Sequence, residues 1–267
     1  MEYIITKEAT TGEELRISYK DYGKGRPVVL IHGWPLSKEM WEYQIEDLVE
    51  AGLRVIKYDR RGFGKSSKPW DRYDYDTLTA DLNAVMEGLD LRDAVLVGFS
   101  MGGGEAVRYL SRYGSDRVSK LVLISAVTPF LLKTSDNSEG VEASVFSEMI
   151  TEMKKDRIQF LDDFGKKFFG VNLLNHPVST PLLEYYRHLA SVAAPRATQQ
   201  CAVAFAQTDF RKEVEGISVP TLIIHGDKDQ TVPIQSSSDR TARMIPSADY
   251  KVYEGPPMVC FIPIGSS

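Results

Sequence analysis

Four short apolar runs, each closed by turn residues, constrain this chain most: PVVLIHG from Pro27, DAVLVGFS from Asp93, SKLVLISAV from Ser119 and SVPTLIIHG from Ser218. A strand that is apolar on both faces needs cover on both, which is the situation of a parallel sheet flanked by helices. LRVIKYD from Leu53 is a fifth run of this kind, flanked by charge. Helical patterns lie between the runs. Ser37 can cap KEMWEYQIEDLVEAG, in which Met40, Trp41, Ile45, Leu48 and Val49 recur at helical spacing and Gly52 closes the end. DYDTLTADLNAVMEGLD places Leu78, Leu82, Val85 and Met86 on one face. Strand alternating with helix predicts an α/β fold. Ahead of it, YIITKEA and ELRISYKDYG alternate in the manner of half-buried strands and predict an antiparallel hairpin at the sheet edge.

From about Thr128 to Thr208 the strand rhythm stops. Helical, aromatic-rich text takes over, in VFSEMITEMKKDRIQFLDDFGKKFFG, PLLEYYRHLASVA and RATQQCAVAFAQ, and strands resume only at Val219. Helices inserted between two strands of one sheet predict a cap over a site. The expected organisation is a core of residues 1–127 and 209–267 with a cap of residues 128–208.

Composition narrows the function classes. The chain has 267 residues, 43% of them apolar and 26% charged, and carries a net charge of −5 from 37 acids and 32 bases with no basic block. That balance argues against nucleic acid and anionic membranes as partners. No transmembrane span and no signal peptide are expected, so a cytoplasmic location is the default. The two cysteines, Cys201 and Cys260, match no metal-ligand or CxxC spacing and read as free thiols.

GFSMG, residues 98–102, follows directly on an apolar run and precedes the helical GGEAVRYLSRYG. A serine between a strand and a helix, flanked by small residues that let the backbones pass closely, is the pattern of a nucleophile elbow. Ser100 is therefore the candidate nucleophile. The loop HGWPLSKEMW follows the strand PVVLI, and a backbone N–H at Trp34 with the N–H of Met101 would make a two-donor oxyanion hole. His32 reads as a turn-stabilising histidine rather than a base. HGDKDQTVP follows a late strand and offers Asp227 and Asp229 as the acid. The residue chemistry alone does not choose between them.

The set VVLIHGWPL, YDRRGFGKSSKP, VLVGFSMGGGEAVRYL and PTLIIHGDKDQTVP resembles the cofactor-free haloperoxidase branch of the α/β-hydrolase superfamily, bacterial aryl esterases and perhydrolases, over nearly all of residues 1–255. The resemblance implies a mostly parallel, doubly wound sheet with a helical cap. It implies Ser100 as nucleophile, Asp229 as the acid, Trp34 and Met101 as oxyanion donors, and no metal, haem or flavin. Pro35 resembles the proline that positions a loop carbonyl toward hydrogen peroxide or peracid in perhydrolysis-prone members. Phe99, Pro35 and Phe130 are expected to line the substrate pocket, with Trp34, Phe164 and Phe168 as further candidates that could equally be core.

The family pattern then expects EGAPHGL after the last strand, where this chain has EGPPMVC. Met258 falls on the catalytic histidine, and a thioether accepts no proton near neutral pH. Codons compatible with the tail, read with a single G restored after the second codon, spell E-G-A-P-H-G-L. The fixed final G of the methionine codon and the fixed GT of the valine codon after it together spell GGT, which is glycine. The expectation is a one-base deletion near the codon for Gly255; the other reading is a divergent tail. The family's C-terminal helix would then be missing, and uncovered apolar sheet surface predicts a homodimer or larger assembly. The expected function is an esterase of the serine-hydrolase type acting on small or aryl esters, with perhydrolase side activity using hydrogen peroxide, and with turnover strongly reduced. The alternative is a non-catalytic member of the fold that binds a small ligand.

Overall fold

The computed structural model describes residues 2–7 and 11–254. Met258 and Cys260, and with them every expectation about the tail, lie outside the described residues.

Eight strands form one sheet: β1 (Glu2–Lys7), β2 (Glu14–Tyr22), β3 (Pro27–Ile31), β4 (Arg54–Tyr58), β5 (Ala94–Phe99), β6 (Val118–Ile124), β7 (Thr221–Gly226) and β8 (Asp249–Tyr253). Their spatial order is β1-β2-β4-β3-β5-β6-β7-β8. The β1/β2 and β2/β4 pairs are antiparallel, and every pair from β4/β3 to β7/β8 is parallel. The four two-sided apolar runs are β3, β5, β6 and β7. All five residues of β3 are buried, which is what a central strand with cover on both faces requires. β1 and β2 form the expected edge hairpin.

Helices α1 (Glu42–Glu50), α2 (Tyr75–Gly88) and α3 (Met101–Tyr113) connect the parallel strands. Asp74 starts α2 by accepting the Thr77 amide at 2.9 Å. The segment after Ser37 departs from the expected single helix. Lys38–Trp41 form a 3-10 turn, which turns Met40 and Trp41 into the core, and the α-helix proper begins only at Glu42 with no fully buried residue. Burying two large side chains ahead of the helix overrides its continuous periodicity.

The first four of the helices between β6 and β7 are α4 (Ala143–Lys155), α5 (Arg157–Phe169), α6 (Thr180–Ser191) and α7 (Pro195–Gln207). The first long helical stretch is two helices. Asp156, extended at φ −152°, accepts the amides of Ile158 and Gln159 and so ends α4 and caps α5. Gly170, at φ 69°, ends α5 in the left-handed region. Helices α8 (Arg211–Glu215) and α9 (Ser238–Met244) complete the described fold.

Strand order reverses beside β3, which has β4 on one side and β5 on the other. In open α/β sheets the crevice beyond the carboxyl ends of strands at such a switch point is where ligands bind. The loop carrying Trp34 leaves β3 and the turn carrying Ser100 leaves β5, so both open into this crevice.

Candidate active site

Ser100 joins β5 to α3 with φ 54° and ψ −119°, a backbone conformation that side-chain-bearing residues seldom adopt. The turn is held from both sides. The Ser100 amide donates to the Ile124 carbonyl at 2.9 Å, and the Ser100 carbonyl accepts the amides of Gly103 and Val127. Small residues around it are a steric necessity. A Cβ on Gly98 would stand 2.6 Å from the Gly102 oxygen, and one on Gly102 would stand 2.4 Å from the Ile31 oxygen. Helix α3 therefore begins in backbone contact with β3, and its first amides have no acceptor within the helix.

Ser100 opens into a cavity of about 670 Å³. Its inner wall is apolar, with Trp34, Val127 and Leu131 from the strand loops facing Phe146, Phe160 and Phe164 from the inserted helices. Gln230, Thr231 and Val232, from the loop after β7, complete one side. Charged residues of α4 and α5, Glu152, Lys155 and Asp163 among them, lie at the rim. Trp34 is pinned by its indole N–H, which donates to the Thr198 carbonyl at 2.9 Å, and by edge contacts with Phe160, Phe164 and Phe205. This fixes the loop that carries its amide.

Three expected pocket residues do not line this cavity. Phe99 is fully buried in the core, between Trp41 and Phe168. Pro35 lines a separate void of about 20 Å³ behind Trp34. Phe130 is packed beneath the Arg211 guanidinium, 5.3 Å from the ring centre. Phe168 is core as well. Phe146, Phe160 and Phe205 were not singled out from sequence. The i, i+4 series Phe160, Phe164, Phe168, whose rings stack at 6.0 and 6.2 Å, is the signal that marks one face of α5.

His32 is buried and fully engaged. The Arg60 amide donates to its Nε2 at 3.0 Å, so the ring proton resides on Nδ1 and is donated to the Gly33 carbonyl at 2.9 Å. Burial, reinforced by the Arg60 charge, pushes its pKa well below the usual value. A ring with no free acceptor nitrogen cannot take a proton from Ser100.

Asp227 is exposed, whereas Asp229 is buried. The Asp229 Oδ1 atom accepts the amides of Thr231 and Val232, both at 2.8 Å. Its Oδ2 is buried and, among the described residues, has no hydrogen-bond partner. His225 Nε2 comes within 3.2 Å of this oxygen, but its N–H is directed at the Val232 carbonyl at 2.9 Å, while Nδ1 meets Ser238 Oγ at 2.7 Å. His225 packs against the acid without satisfying it. Among the described residues no group of three or more His, Cys, Asp or Glu side chains is arranged to hold a metal ion. No helix among them is long and apolar enough to cross a membrane.

A mostly parallel sheet with a serine on a strained strand-to-helix turn, at the mouth of an apolar cavity, is an open α/β architecture with a ligand-sized space beyond its strand ends. The chain belongs to the alpha/beta hydrolase fold family, whose pattern it matches over residues 26–259. It is 42% identical over 246 residues to a non-heme chloroperoxidase of Kitasatospora aureofaciens, covering 92% of this chain and 90% of that one. It is 38% identical over 260 residues to a bifunctional esterase/perhydrolase of Acinetobacter calcoaceticus, covering 96% and 92%. Its fold superimposes on the crystal structure of a bromoperoxidase from Bacillus anthracis with a TM-score of 0.91 at 47% identity, covering 96% and 93%.

Proposed function

We propose that this protein is a carboxylic ester hydrolase in which Ser100 forms an acyl-enzyme, with perhydrolysis as a side reaction. The observation that carries the reading is Ser100 itself, held at φ 54° at the head of α3 and facing an apolar cavity of about 670 Å³. Ser100 Oγ attacks the acyl carbon, its proton leaves, and the carbonyl electrons move onto oxygen. The N–H groups of Trp34 and Met101 hold this oxyanion. Collapse expels the alcohol or phenol. Water then attacks the acyl-enzyme to release the acid, or hydrogen peroxide attacks it to release the peracid. The helices within residues 128–208 act as the cap that shields these steps from bulk water.

Asp229 is the acid of this arrangement, anchored through Oδ1, with an Oδ2 that takes no hydrogen bond from the described residues. Met258 stands where the sequence pattern places the base, so the Ser100 proton goes to solvent and turnover is slow. Activated esters, whose leaving groups need no protonation, are the substrates that survive this loss. The same two facts, an Asp229 Oδ2 with no hydrogen-bond partner among the described residues and a methionine for the base, also favour a second reading, a pocket that binds small acyl or aromatic ligands without turning them over.

One experiment separates the two. Incubation with p-nitrophenyl acetate should add one acetyl mass to the protein, located on the peptide containing Ser100 and absent in Ser100→Ala. Saturable ligand binding with no adduct would support the binder instead.

The cavity wall also predicts selectivity. Phe164 borders both the Ser100 cavity and the void behind Trp34. Phe164→Ala should join them and raise kcat/KM for p-nitrophenyl octanoate relative to the acetate about tenfold, the value of one or two accommodated methylenes. Its stability cost is about 3 kcal/mol. Paired kinetics on the two esters check this, and an unchanged ratio would mean that the acyl chain lies elsewhere.

A further inference from the structure

Beneath the cavity floor lies a buried polar chain that the reaction scheme leaves without a role. Glu105 sits on α3, one helical turn after Met101, and is fully buried. One of its carboxylate oxygens accepts the Tyr58 hydroxyl at 2.9 Å, and the other accepts Arg60, both from the end of β4. Arg60 reaches onward to the loop after β3. Its Nη2 donates to the His32 carbonyl at 2.8 Å, and its backbone amide donates to His32 Nε2 at 3.0 Å. His32 Nδ1 closes the chain on the Gly33 carbonyl. Arg60 and His32 are at most 1% exposed.

The two ends of this chain are the two segments that carry the proposed oxyanion donors. Trp34 lies two residues beyond His32, and Met101 lies four before Glu105 on the same rigid helix. Among the described residues these segments also pack directly, Gly102 against the Ile31 and His32 carbonyls and Gly33 against Phe99 and Ser100, and close packing of this kind does not by itself set the direction of an amide. The guanidinium fork supplies that direction, since its donors have a fixed planar geometry.

We infer that Arg60, clamped between Glu105 and the His32 carbonyl, is a positioning residue that holds the Trp34 and Met101 amides in register for the oxyanion. The inference rests on the proposed reading of Ser100 and those two amides. An oxyanion exists only after attack, so an error in this register lowers kcat and leaves KM alone. A displacement of about 1 Å at a reacting centre is enough to cost on the order of 100-fold.

A buried ion pair is also a stability element, so the test has to separate the two roles. Replacing both partners by neutral side chains of similar volume is commonly neutral or stabilising, whereas removing one leaves a buried charge. The double variant Arg60→Met/Glu105→Gln should therefore melt close to the parent. Its kcat on p-nitrophenyl acetate should fall about 10- to 100-fold, with KM unchanged within about twofold. Arg60→Lys keeps the charge opposite Glu105 but loses the fork that reaches His32, and should show the same kcat loss. It decides the matter if the double variant fails to fold. Undiminished kcat in a folded double variant, or in Arg60→Lys, overturns the inference and leaves the function intact. Each rate is read against Ser100→Ala. Where parent and Ser100→Ala turn over equally slowly, the rate at which the acetyl adduct appears on the Ser100 peptide is compared instead, and a parent that forms no such adduct overturns the reading of the site and the inference with it.

Discussion

The fourfold variant Pro256→Ala, Met258→His, Val259→Gly and Cys260→Leu, which writes APHGL after Gly255, should hydrolyse p-nitrophenyl acetate on the order of 10³-fold faster than the parent chain. Removing the histidine from a serine triad costs about 10⁶-fold in turnover elsewhere, and only part of that should return when the base sits in an otherwise unchanged tail. Asp229, the proposed acid, is ready for it. Two amides hold Asp229 Oδ1, so the carboxylate cannot rotate freely, and Oδ2 lacks a donor among the described residues. An imidazole placed there gains a charge-assisted hydrogen bond and is oriented by it. The pH profile supplies a second readout: a histidine base introduces a rise in rate through about pH 6.5, the ordinary imidazole range, which the parent lacks. A gain under tenfold, with parent activity still abolished by Ser100→Ala, would mean that a different group already serves as base. His32 is not that group, because both of its ring nitrogens are engaged in the core.

Gly102→Ala should leave little folded protein, whereas Gly165→Ala should raise stability by about 1 kcal/mol. Both glycines sit inside α-helices, where alanine has the better intrinsic propensity. They differ in what a methyl group meets. At Gly165 nothing lies within 4 Å of the new Cβ. At Gly102 the Cβ would stand 2.4 Å from the Ile31 oxygen and 3.0 Å from the His32 oxygen. Those are backbone atoms of the central strand and its loop, so they cannot swing aside as a flexible side chain would. The strain exceeds the roughly 1–3 kcal/mol typical of overpacking in a yielding core, and it pushes α3 away from the loop that carries Trp34. Thermal melts of the two variants beside the parent check both halves. A Gly102→Ala protein that melts like the parent would show that α3 can slide relative to β3, which would also weaken the case for a fixed register between their amides.

Much of the architecture was legible because it is local. Two-sided apolar runs mark β3, β5, β6 and β7 directly, since only a covered central strand tolerates them. Ser37 and Gly52 mark helix ends in the sequence, because capping chemistry belongs to single residues: Ser37 caps the 3-10 turn and Gly52, at φ 80°, closes the segment. The split at Asp156 and the 3-10 turn at Lys38–Trp41 were less visible. In the first, one carboxylate closes a helix within a continuous helical pattern, and in the second, core burial of Met40 and Trp41 outweighs periodicity.

The site divides along the same line. The sequence by itself determined that Ser100 follows a strand and opens a helix, that a loop with Trp34 follows β3, and that two aspartates follow β7, because each statement concerns neighbours along the chain. Only the tertiary structure decided which side chains enclose the cavity. Phe99 is adjacent to Ser100 yet is buried between Trp41 and Phe168, while Phe164 and Phe205 arrive from helices more than 60 residues away. The structure also decided that Asp227 is exposed and Asp229 buried, and that Arg60 joins Glu105 to His32 across three elements. Burial and hydrogen bonding between distant segments depend on how the sheet and helices pack, and no spacing within the chain encodes that pairing by itself.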